Sequence, residues 1–209
     1  MTVYQANPVR GRLNSLTFRL LDRYAHHLLG DRKQALFADL PETIAELGPG
    51  TGANFRYYRP GTRVIAIEPN PHMRSALTAH AAARGIAVDL RARPAEDTGL
   101  PSASVDVVVC TLVLCTVPDP LAAVRETLRV LRPGGRLIFV EHVAGEGGYA
   151  RLQRGLARPW RWFFEGCEVR RDTEHILRDA GFTEIKLERY TLKSVFGPIN
   201  PQIAGVAIR

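Results

Sequence analysis

A glycine-rich run between two apolar segments most constrains how this chain folds. The run ELGPGTGANF occupies residues 46–55, and the apolar segments cover residues 43–47 and 63–67. The segments are typical of buried strands, and the glycines allow a tight turn and close approach of a ligand to the backbone before a helix begins. Glu68 follows the second strand, where an acidic side chain accepts hydrogen bonds from ribose hydroxyls in doubly wound sheets. The sequence therefore predicts a nucleotide-shaped pocket.

The glycine run alone leaves the cofactor open. Gly48, Gly50 and Ala53 also satisfy the tolerant form of the dinucleotide fingerprint, so a nicotinamide dehydrogenase is an alternative at this point. Two later runs narrow the choice. The run SVDVVVCTLVLC (104–115) predicts a buried strand leading into a short loop, and VLRPGGRLIFVEH (130–142) predicts a helix end, a Pro-Gly-Gly turn and the next strand. This order resembles the class I S-adenosylmethionine-dependent methyltransferases.

Composition narrows the class of protein further. The chain has 209 residues and a formal net charge of +7, but no basic run is interleaved with stacking aromatics, so we expect no nucleic-acid partner. No apolar run approaches the roughly 20 residues of a membrane helix, and there is no signal-peptide core, so we expect a cytoplasmic protein without stable membrane insertion. The three cysteines lack Cys-x-x-Cys spacing, which predicts reduced thiols and no metal site. Cys110 and Cys115 are interpreted as small buried hydrophobic residues.

Strand and helix signals alternate, which predicts one α/β domain over residues 1–209 with a mostly parallel sheet. Residues 1–40 form an N-terminal helical cap, which is either a lid or a helix packed permanently on the sheet, and residues 145–171 form a substrate-cap insertion. The Pro-Gly-Gly turn is expected to end the helix before it. The predicted strands cover residues 43–47, 63–67, 86–91, 105–111, 136–141, 184–191 and 202–208. The predicted helices cover residues 8–37, 53–59, 70–84, 118–131, 149–164 and 172–180.

Several runs are similar to a narrower family, the mammalian membrane-associated alkyl thiol methyltransferases and their bacterial relatives. These runs are EPNP (68–71), CTLVLC (110–115), EHVA (141–144), GC (166–167) and PQIAGVAI (201–208). The resemblance implies a Rossmann-like, seven-stranded sheet in the order 3-2-1-4-5-7-6, with the last strand antiparallel and helices on both faces. It also implies S-adenosylmethionine as methyl donor and S-adenosylhomocysteine as product. The mammalian proteins begin with a hydrophobic anchor that this sequence lacks, so membrane attachment is not carried over.

The resemblance also assigns cofactor contacts. The glycine loop borders the methionine part of the cofactor, Glu68 holds the ribose, and Asn54 supports the loop. Pro94 departs from the family pattern, because many methyltransferases have an aspartate there. The implied cofactor-binding residues are Glu46, Gly48, Gly50, Gly52, Asn54, Glu68, Pro69, Asn70, Ala95, Glu96, Thr111 and Leu112. Glu46 has a purely structural role as its alternative.

The expected reaction is an in-line attack of a thiolate on the donor's methyl group. His142 is the candidate catalytic residue, which takes the thiol proton or orients a water that does; contact with a backbone partner is its alternative. Arg161, Arg170 or Arg171 would add positive potential. The candidate substrate-binding residues are Tyr24, Trp160, Arg161, Phe163 and Phe164, of which the aromatic cluster at 160–164 has helix anchoring as its alternative.

The expected acceptor is a small, apolar thiol, methylated for detoxification or natural-product tailoring. One alternative is O- or N-methylation of a small molecule, a quinone precursor or a lipid headgroup. Another is a non-catalytic cofactor-binding module that interacts with a partner.

Overall fold

A seven-stranded sheet forms the centre of the molecule. A computed structural model describes residues 8–209. The strands are β1 (Thr43–Leu47), β2 (Arg63–Ile67), β3 (Ala87–Arg91), β4 (Val105–Thr111), β5 (Leu131–His142), β6 (Glu184–Thr191) and β7 (Pro201–Ile208). Their order is β3-β2-β1-β4-β5-β7-β6, and β7 runs antiparallel to both of its neighbours while the other pairs are parallel. The predicted strand order and the antiparallel last strand are confirmed.

Helices cover both faces of the sheet. The α-helices are α1 (Pro8–Leu36), α2 (Arg74–Arg84), α3 (Pro120–Val130), α4 (Gly147–Phe163) and α5 (Thr173–Asp179). One core cluster packs α3 and α5 against the sheet, for example through Val124 and Leu177, and a second cluster packs α2 through Leu77. Each of these side chains is at most 1% exposed. The central strands are buried on both faces, as parallel strands with helical crossovers require.

Local sequence explains how several elements begin. Asp119 precedes α3 and its Oδ1 accepts a hydrogen bond from the Ala122 N–H at 2.9 Å, while Pro120 follows with a backbone angle suited to a first helical turn. Asp172 caps α5 in the same way, since its Oδ1 accepts from the His175 N–H at 3.1 Å. These caps satisfy N–H groups that the helix itself leaves unpaired.

Three predicted elements differ from the structure in type or by several residues. The helix expected at 53–59 is a 3₁₀ helix, Ala53–Tyr57, because Gly52 adopts a left-handed conformation and the Phe55 N–H bonds back to its carbonyl. The helix expected from residue 70 begins only at Arg74, since Asn70 Oδ1 accepts the His72 N–H at 2.9 Å in a turn. The strand expected at 136–141 begins at Leu131, directly after α3 ends at Val130, so the Pro-Gly-Gly turn lies inside β5, where the register with β4 shifts.

Helix α1 is tied to the first 3₁₀ helix by polar contacts. Arg56 forms an ion pair with Asp22, and His26 Nδ1 lies 2.6 Å from the Tyr57 hydroxyl. Within residues 8–209, every helix is either too short or too polar to span a bilayer. The helix predicted at 8–37 is confirmed as α1, Pro8–Leu36. Residues 1–7 of the expected N-terminal cap lie outside the described part of the chain.

Candidate active site

A pocket, here called the glycine-loop pocket, lies at the carboxyl ends of the central strands, where open α/β sheets bind ligands. Of the predicted cofactor residues, eight line it: Gly48, Gly50, Glu68, Pro69, Asn70, Ala95, Glu96 and Leu112. Four others lie outside its wall: Glu46, Gly52, Asn54 and Thr111. The remaining lining residues are Asn14, Phe18, Ile67, Met73, Pro94, Val113, Thr116, Val117, Pro118, Phe164 and Glu165. Helix α1 therefore contributes to this pocket together with the strand ends.

At the floor of the glycine-loop pocket, the backbone of Gly50 is accessible to a ligand and lies beside the carboxylate of Glu68. Gly50 has φ +58°, and a Cβ there would meet only the Gly48 carbonyl oxygen, at 4.0 Å. Glu68 accepts hydrogen bonds from the N–H groups of Gly50 at 3.0 Å and Asn70 at 2.8 Å. Burial raises the pKa of Glu68 to about 7, although these two N–H groups favour the ionised form. Each carboxylate oxygen keeps capacity for a further hydrogen bond from a ligand hydroxyl.

A buried polar network lies behind the glycine loop. Asn54 Nδ2 donates to Glu46 Oε1 at 2.7 Å and to Thr111 Oγ1 at 2.9 Å, while Asn54 Oδ1 accepts from Lys33 Nζ at 2.8 Å. Tyr58 donates to Glu46 Oε2 at 2.8 Å. Burial raises the pKa of Glu46 to about 7 and lowers the pKa of Lys33 to about 8. The network connects α1, the glycine loop and the end of β4, so Glu46 and Asn54 support the pocket from behind.

The loop after β4 is held by a buried carboxylate that the sequence did not single out for this role. Glu141 Oε1 accepts from the N–H groups of Val113 at 2.8 Å and Leu114 at 3.1 Å. Burial raises the pKa of Glu141. Leu112, just before these N–H groups, has φ +57°, a conformation that non-glycine residues adopt at an energetic cost and that is often found at functional sites. Glu141 thus fixes the position of Leu112.

A second pocket, here called the apolar pocket, shares walls with the first. Phe18, Leu112, Thr116 and Phe164 line both. The other lining residues are Leu21, Tyr24, Ala25, Leu28, Leu29, Cys115, His142, Trp160, Cys167, Leu192, Phe196, Ile199 and Gln202. Most of this wall is aliphatic or aromatic, which suits an apolar ligand oriented by a few polar groups.

Three buried side chains in the apolar pocket form a cluster of sulfur and nitrogen. His142 Nε2 lies 3.1 Å from Cys167 Sγ, and the Trp160 indole N–H donates to the same sulfur at 3.3 Å. Cys115 is the third member, and its hydrogen bond with Cys167 together with burial raises the pKa of its thiol well above the ordinary value. Among the described residues, His142 Nδ1 has no hydrogen-bond partner, although His142 is only 2% exposed.

The predicted substrate residues divide into two groups. Tyr24, Trp160 and Phe164 line the apolar pocket, whereas Phe163 and the exposed Arg161 do not. Helical periodicity explains the difference, because consecutive residues of α4 point to different sides. The other two candidate arginines lie outside both pocket walls: Arg170 is exposed beside Glu168, and Arg171 donates to the backbone carbonyls of Leu114 and Val117.

Sequence reasoning missed most of the α1 contribution and the partners of His142. Phe18, Leu21 and Leu28 are apolar positions of α1 that line the apolar pocket, and hydrophobic periodicity does not tell what such positions cover. Cys167 is 25 residues from His142 in sequence and carries no spacing signal.

Comparison with known proteins decides the family. Residues 45–139 match the family model described as a methyltransferase domain. Human thiol S-methyltransferase TMT1B is 43% identical over 171 residues, which are 79% of this chain and 70% of that protein. Human thiol S-methyltransferase TMT1A is 36% identical over 194 residues, covering 87% of this chain and 80% of that protein. The chain belongs to the same methyltransferase family as these two proteins. The enzyme uses S-adenosylmethionine as methyl donor and releases S-adenosylhomocysteine.

Solved structures agree on the fold of the enzyme. A methyltransferase from Aquifex aeolicus aligns with a TM-score of 0.62 at 16% identity, covering 98% of this chain and 99% of that one. The [4+2]-cyclase SpnF aligns with a TM-score of 0.68 at 18% identity, covering 100% and 99%. Because proteins described by such different reactions share this fold, the fold alone does not determine the methyl acceptor, which depends on the residues of the site.

The glycine-loop pocket fits the methyl donor of this family. Open space above Gly50 lets a ligand approach the backbone, and the Glu68 carboxylate is placed to accept from hydroxyl groups. Ile67, Met73 and Ala95 supply apolar surface in the same wall for a flat ring. The residues present therefore fit the adenosine part of the donor, with open space above Gly50 for the rest.

Proposed function

We propose that the enzyme transfers a methyl group from S-adenosylmethionine to the sulfur of a small, apolar thiol. The observation that carries the proposal is the shared wall: Phe18, Leu112 and Phe164 line both the glycine-loop pocket and the apolar pocket. An acceptor in the apolar pocket is thereby next to a donor in the glycine-loop pocket. The similarity to proteins named thiol S-methyltransferases supports sulfur as the accepting atom.

The proposed cofactor contacts follow the pocket wall. Glu68 accepts from the ribose hydroxyls, the backbone at Gly48 and Gly50 borders the methionine part, and Pro69 and Asn70 flank the adenine with Ala95 and Glu96 at its edge. Leu112 lies beside the reacting sulfonium in this proposal, and Thr111, which lies outside the pocket wall, holds Asn54 behind the loop. Glu46, Gly52 and Asn54 support the loop. What favours this assignment is the open space at Gly50 and the carboxylate beside it.

For this reaction the protein needs mainly to align the acceptor thiol with the donor and to promote its ionisation. S-adenosylmethionine, when bound, supplies a methyl group already activated by positive sulfur. A free thiol with a pKa near ~8.5 is only a few per cent ionised at neutral pH. We propose that His142, in the apolar wall of the acceptor site, promotes loss of the thiol proton. Tyr24, Trp160 and Phe164 hold the acceptor's apolar body and exclude water.

The proposal includes a cytoplasmic location and no nucleic-acid partner. The cysteines are free thiols buried in the structure, which fits a reducing compartment. We propose a small molecule, and not a nucleic acid, as the occupant of the apolar pocket.

An acceptor series with one carbon skeleton tests the proposal directly. The purified enzyme is incubated with S-adenosylmethionine and the same alkyl chain carrying a thiol, a hydroxyl or an amine, and methylated products are quantified by mass spectrometry. We expect turnover of the thiol alone, rising with pH as thiolate forms, and a lower KM as the chain lengthens. Methylation confined to oxygen or nitrogen would refute the thiol acceptor. Tight binding of S-adenosylhomocysteine without any turnover would favour a non-catalytic module.

His142→Ala tests the assigned catalytic residue. We expect turnover of the thiol near neutral pH to fall by up to roughly 30-fold, the most that full ionisation of a thiol with a pKa near ~8.5 can supply, with unchanged affinity for S-adenosylhomocysteine. The matched control is His175→Ala, because the His175 side chain is exposed, pairs with Asp179 at 3.2 Å and lines neither pocket. Equal turnover of His142→Ala and wild type would remove His142 from the mechanism.

A further inference from the structure

The sulfur–nitrogen cluster in the apolar pocket has the composition of a metal site. The ligand atoms of Cys115, His142 and Cys167 all lie within 4.8 Å of one another, and all three residues are buried. Tetrahedral zinc bonds of about 2.3 Å to sulfur and about 2.0 Å to nitrogen place neighbouring ligand atoms about 3.5–3.8 Å apart. The cluster is therefore already close to the size of a three-ligand site. No Cys-x-x-Cys spacing signals it, and the sequence predicted no metal.

Separate elements hold the three ligands in place. Cys115 lies in the loop after β4, His142 ends β5, and Cys167 follows α4. The Glu168 N–H donates to the Cys115 carbonyl at 2.8 Å, which fixes the two cysteine-bearing segments side by side. The Trp160 indole N–H can only donate, so Cys167 Sγ is the acceptor of that bond, as a metal-bound thiolate would be.

We infer that Cys115, His142 and Cys167 bind a thiophilic divalent cation such as Zn²⁺. Two thiolates neutralise the two positive charges, so the loaded site adds no net charge to an apolar wall. All three ligands line the apolar pocket, which leaves the fourth coordination position for a molecule in that pocket. Catalytic zinc sites have this arrangement of three protein ligands and one exchangeable position.

The site explains how His142 promotes ionisation of the acceptor, and in this respect the inference rests on the proposed thiol methylation. On loading, the two cysteine thiols release their protons to solvent. The acceptor thiol would then replace a metal-bound water: its S–H bond breaks, its proton passes with the departing water to solvent, and its sulfur becomes the fourth ligand as a thiolate. Attack on the donor's methyl forms an S–C bond as the sulfonium–methyl bond breaks. The neutral thioether product is a weaker ligand and leaves.

Metal stoichiometry tests the site apart from activity. Chelator-treated wild type is titrated with Zn²⁺ and, separately, with Co²⁺, whose thiolate charge-transfer absorption reports sulfur ligation. We expect one ion per chain, lost in Cys115→Ser and Cys167→Ser. The matched control Cys110→Ser keeps the ion, because Cys110 is equally buried but contacts Glu141 at 3.5 Å, outside the cluster. Absence of Zn²⁺ and Co²⁺ binding in wild type overturns the site whatever the fate of the variants.

Turnover distinguishes this inference from the proposed function. Full ionisation of a thiol with a pKa of ~8.5 raises the thiolate fraction up to roughly 30-fold at neutral pH, so zinc loading should raise thiol turnover by up to that factor and less at higher pH. Equal thiol turnover by metal-free and zinc-loaded enzyme would overturn the activating role and leave the thiol acceptor standing. Zinc binding to the cluster without methylation of any thiol would support the site and refute the acceptor.

Discussion

Replacing Gly50 with alanine separates the cost of a strained backbone from the cost of filling the glycine-loop pocket. Gly50 has φ +58°, and a new Cβ meets no atom closer than 4.0 Å in the protein itself. A left-handed alanine costs roughly 1–2 kcal/mol of stability. In a chain of this size that amounts to a fall in Tm of about 2–4 °C for each kcal/mol. The added methyl group stands where the ligand approaches the backbone, and overpacking there costs roughly 1–3 kcal/mol, or about 5- to 150-fold in affinity.

Gly134→Ala is the matched control for this experiment. Gly134 has φ +77° and nothing within 4 Å of its Cβ position, but it lies in the Pro-Gly-Gly turn and outside the glycine-loop pocket. Both variants should lose similar stability in thermal unfolding, whereas calorimetric titration with S-adenosylhomocysteine should show weaker binding only for Gly50→Ala. Wild-type affinity in Gly50→Ala, with the same stability loss as the control, would refute close contact between this backbone and the cofactor.

Buried polar groups give the remaining predictions. Because burial raises the pKa of Glu46 to about 7, its stabilising contribution is present below its unfolded pKa and lost as pH rises through about 7; the stability of wild type relative to Glu46→Gln should therefore fall between about pH 5 and 8 in denaturant titrations, and a pH-independent difference would contradict the shift. Lys33→Met leaves Asn54 Oδ1 without its donor and should cost about 1–3 kcal/mol of unfolding free energy, a loss below about 0.5 kcal/mol counting against the network. Gln153→Leu unpairs the Gly145 N–H and two backbone carbonyls and should cost about 2–5 kcal/mol by the same measurement; a near-neutral result would mean that water replaces the side chain.

Sequence reasoning was most accurate where a structure depends on neighbours along the chain. The strands at 43–47, 63–67 and 105–111 have the predicted limits, since short apolar runs between turn residues leave little freedom in placing a buried parallel strand. It was less accurate at 53–59 and 70–84, where single hydrogen bonds accepted by the Gly52 carbonyl and the Asn70 side chain decide between a turn and a helix. Such bonds depend on local geometry that hydrophobic periodicity does not encode.

The candidate site shows the same division more sharply. The glycine loop and Glu68 are recognisable because a loop that admits a ligand needs glycine, and a ribose needs a carboxylate near a strand end. The role of Glu141 in holding Leu112 was not recognisable, because it depends on how β5 pairs with β4. Nor could the sequence tell that Arg171 is occupied by backbone carbonyls.

By itself, the sequence determined the succession of strands and helices along the chain, the position of the glycine loop and the family, because local patterns of glycine, charged and apolar residues indicate them. Only the tertiary structure decided that α1 lines both pockets and that Cys115 and Cys167 meet at His142. Those residues lie on separate elements, and their contact is a consequence of sheet order and of the packing of α4 against the short segment Gly197–Ile199 that precedes β7. The physical reason is that the packing of whole helices and strands decides which distant side chains come into contact, and spacing along the chain does not encode that packing.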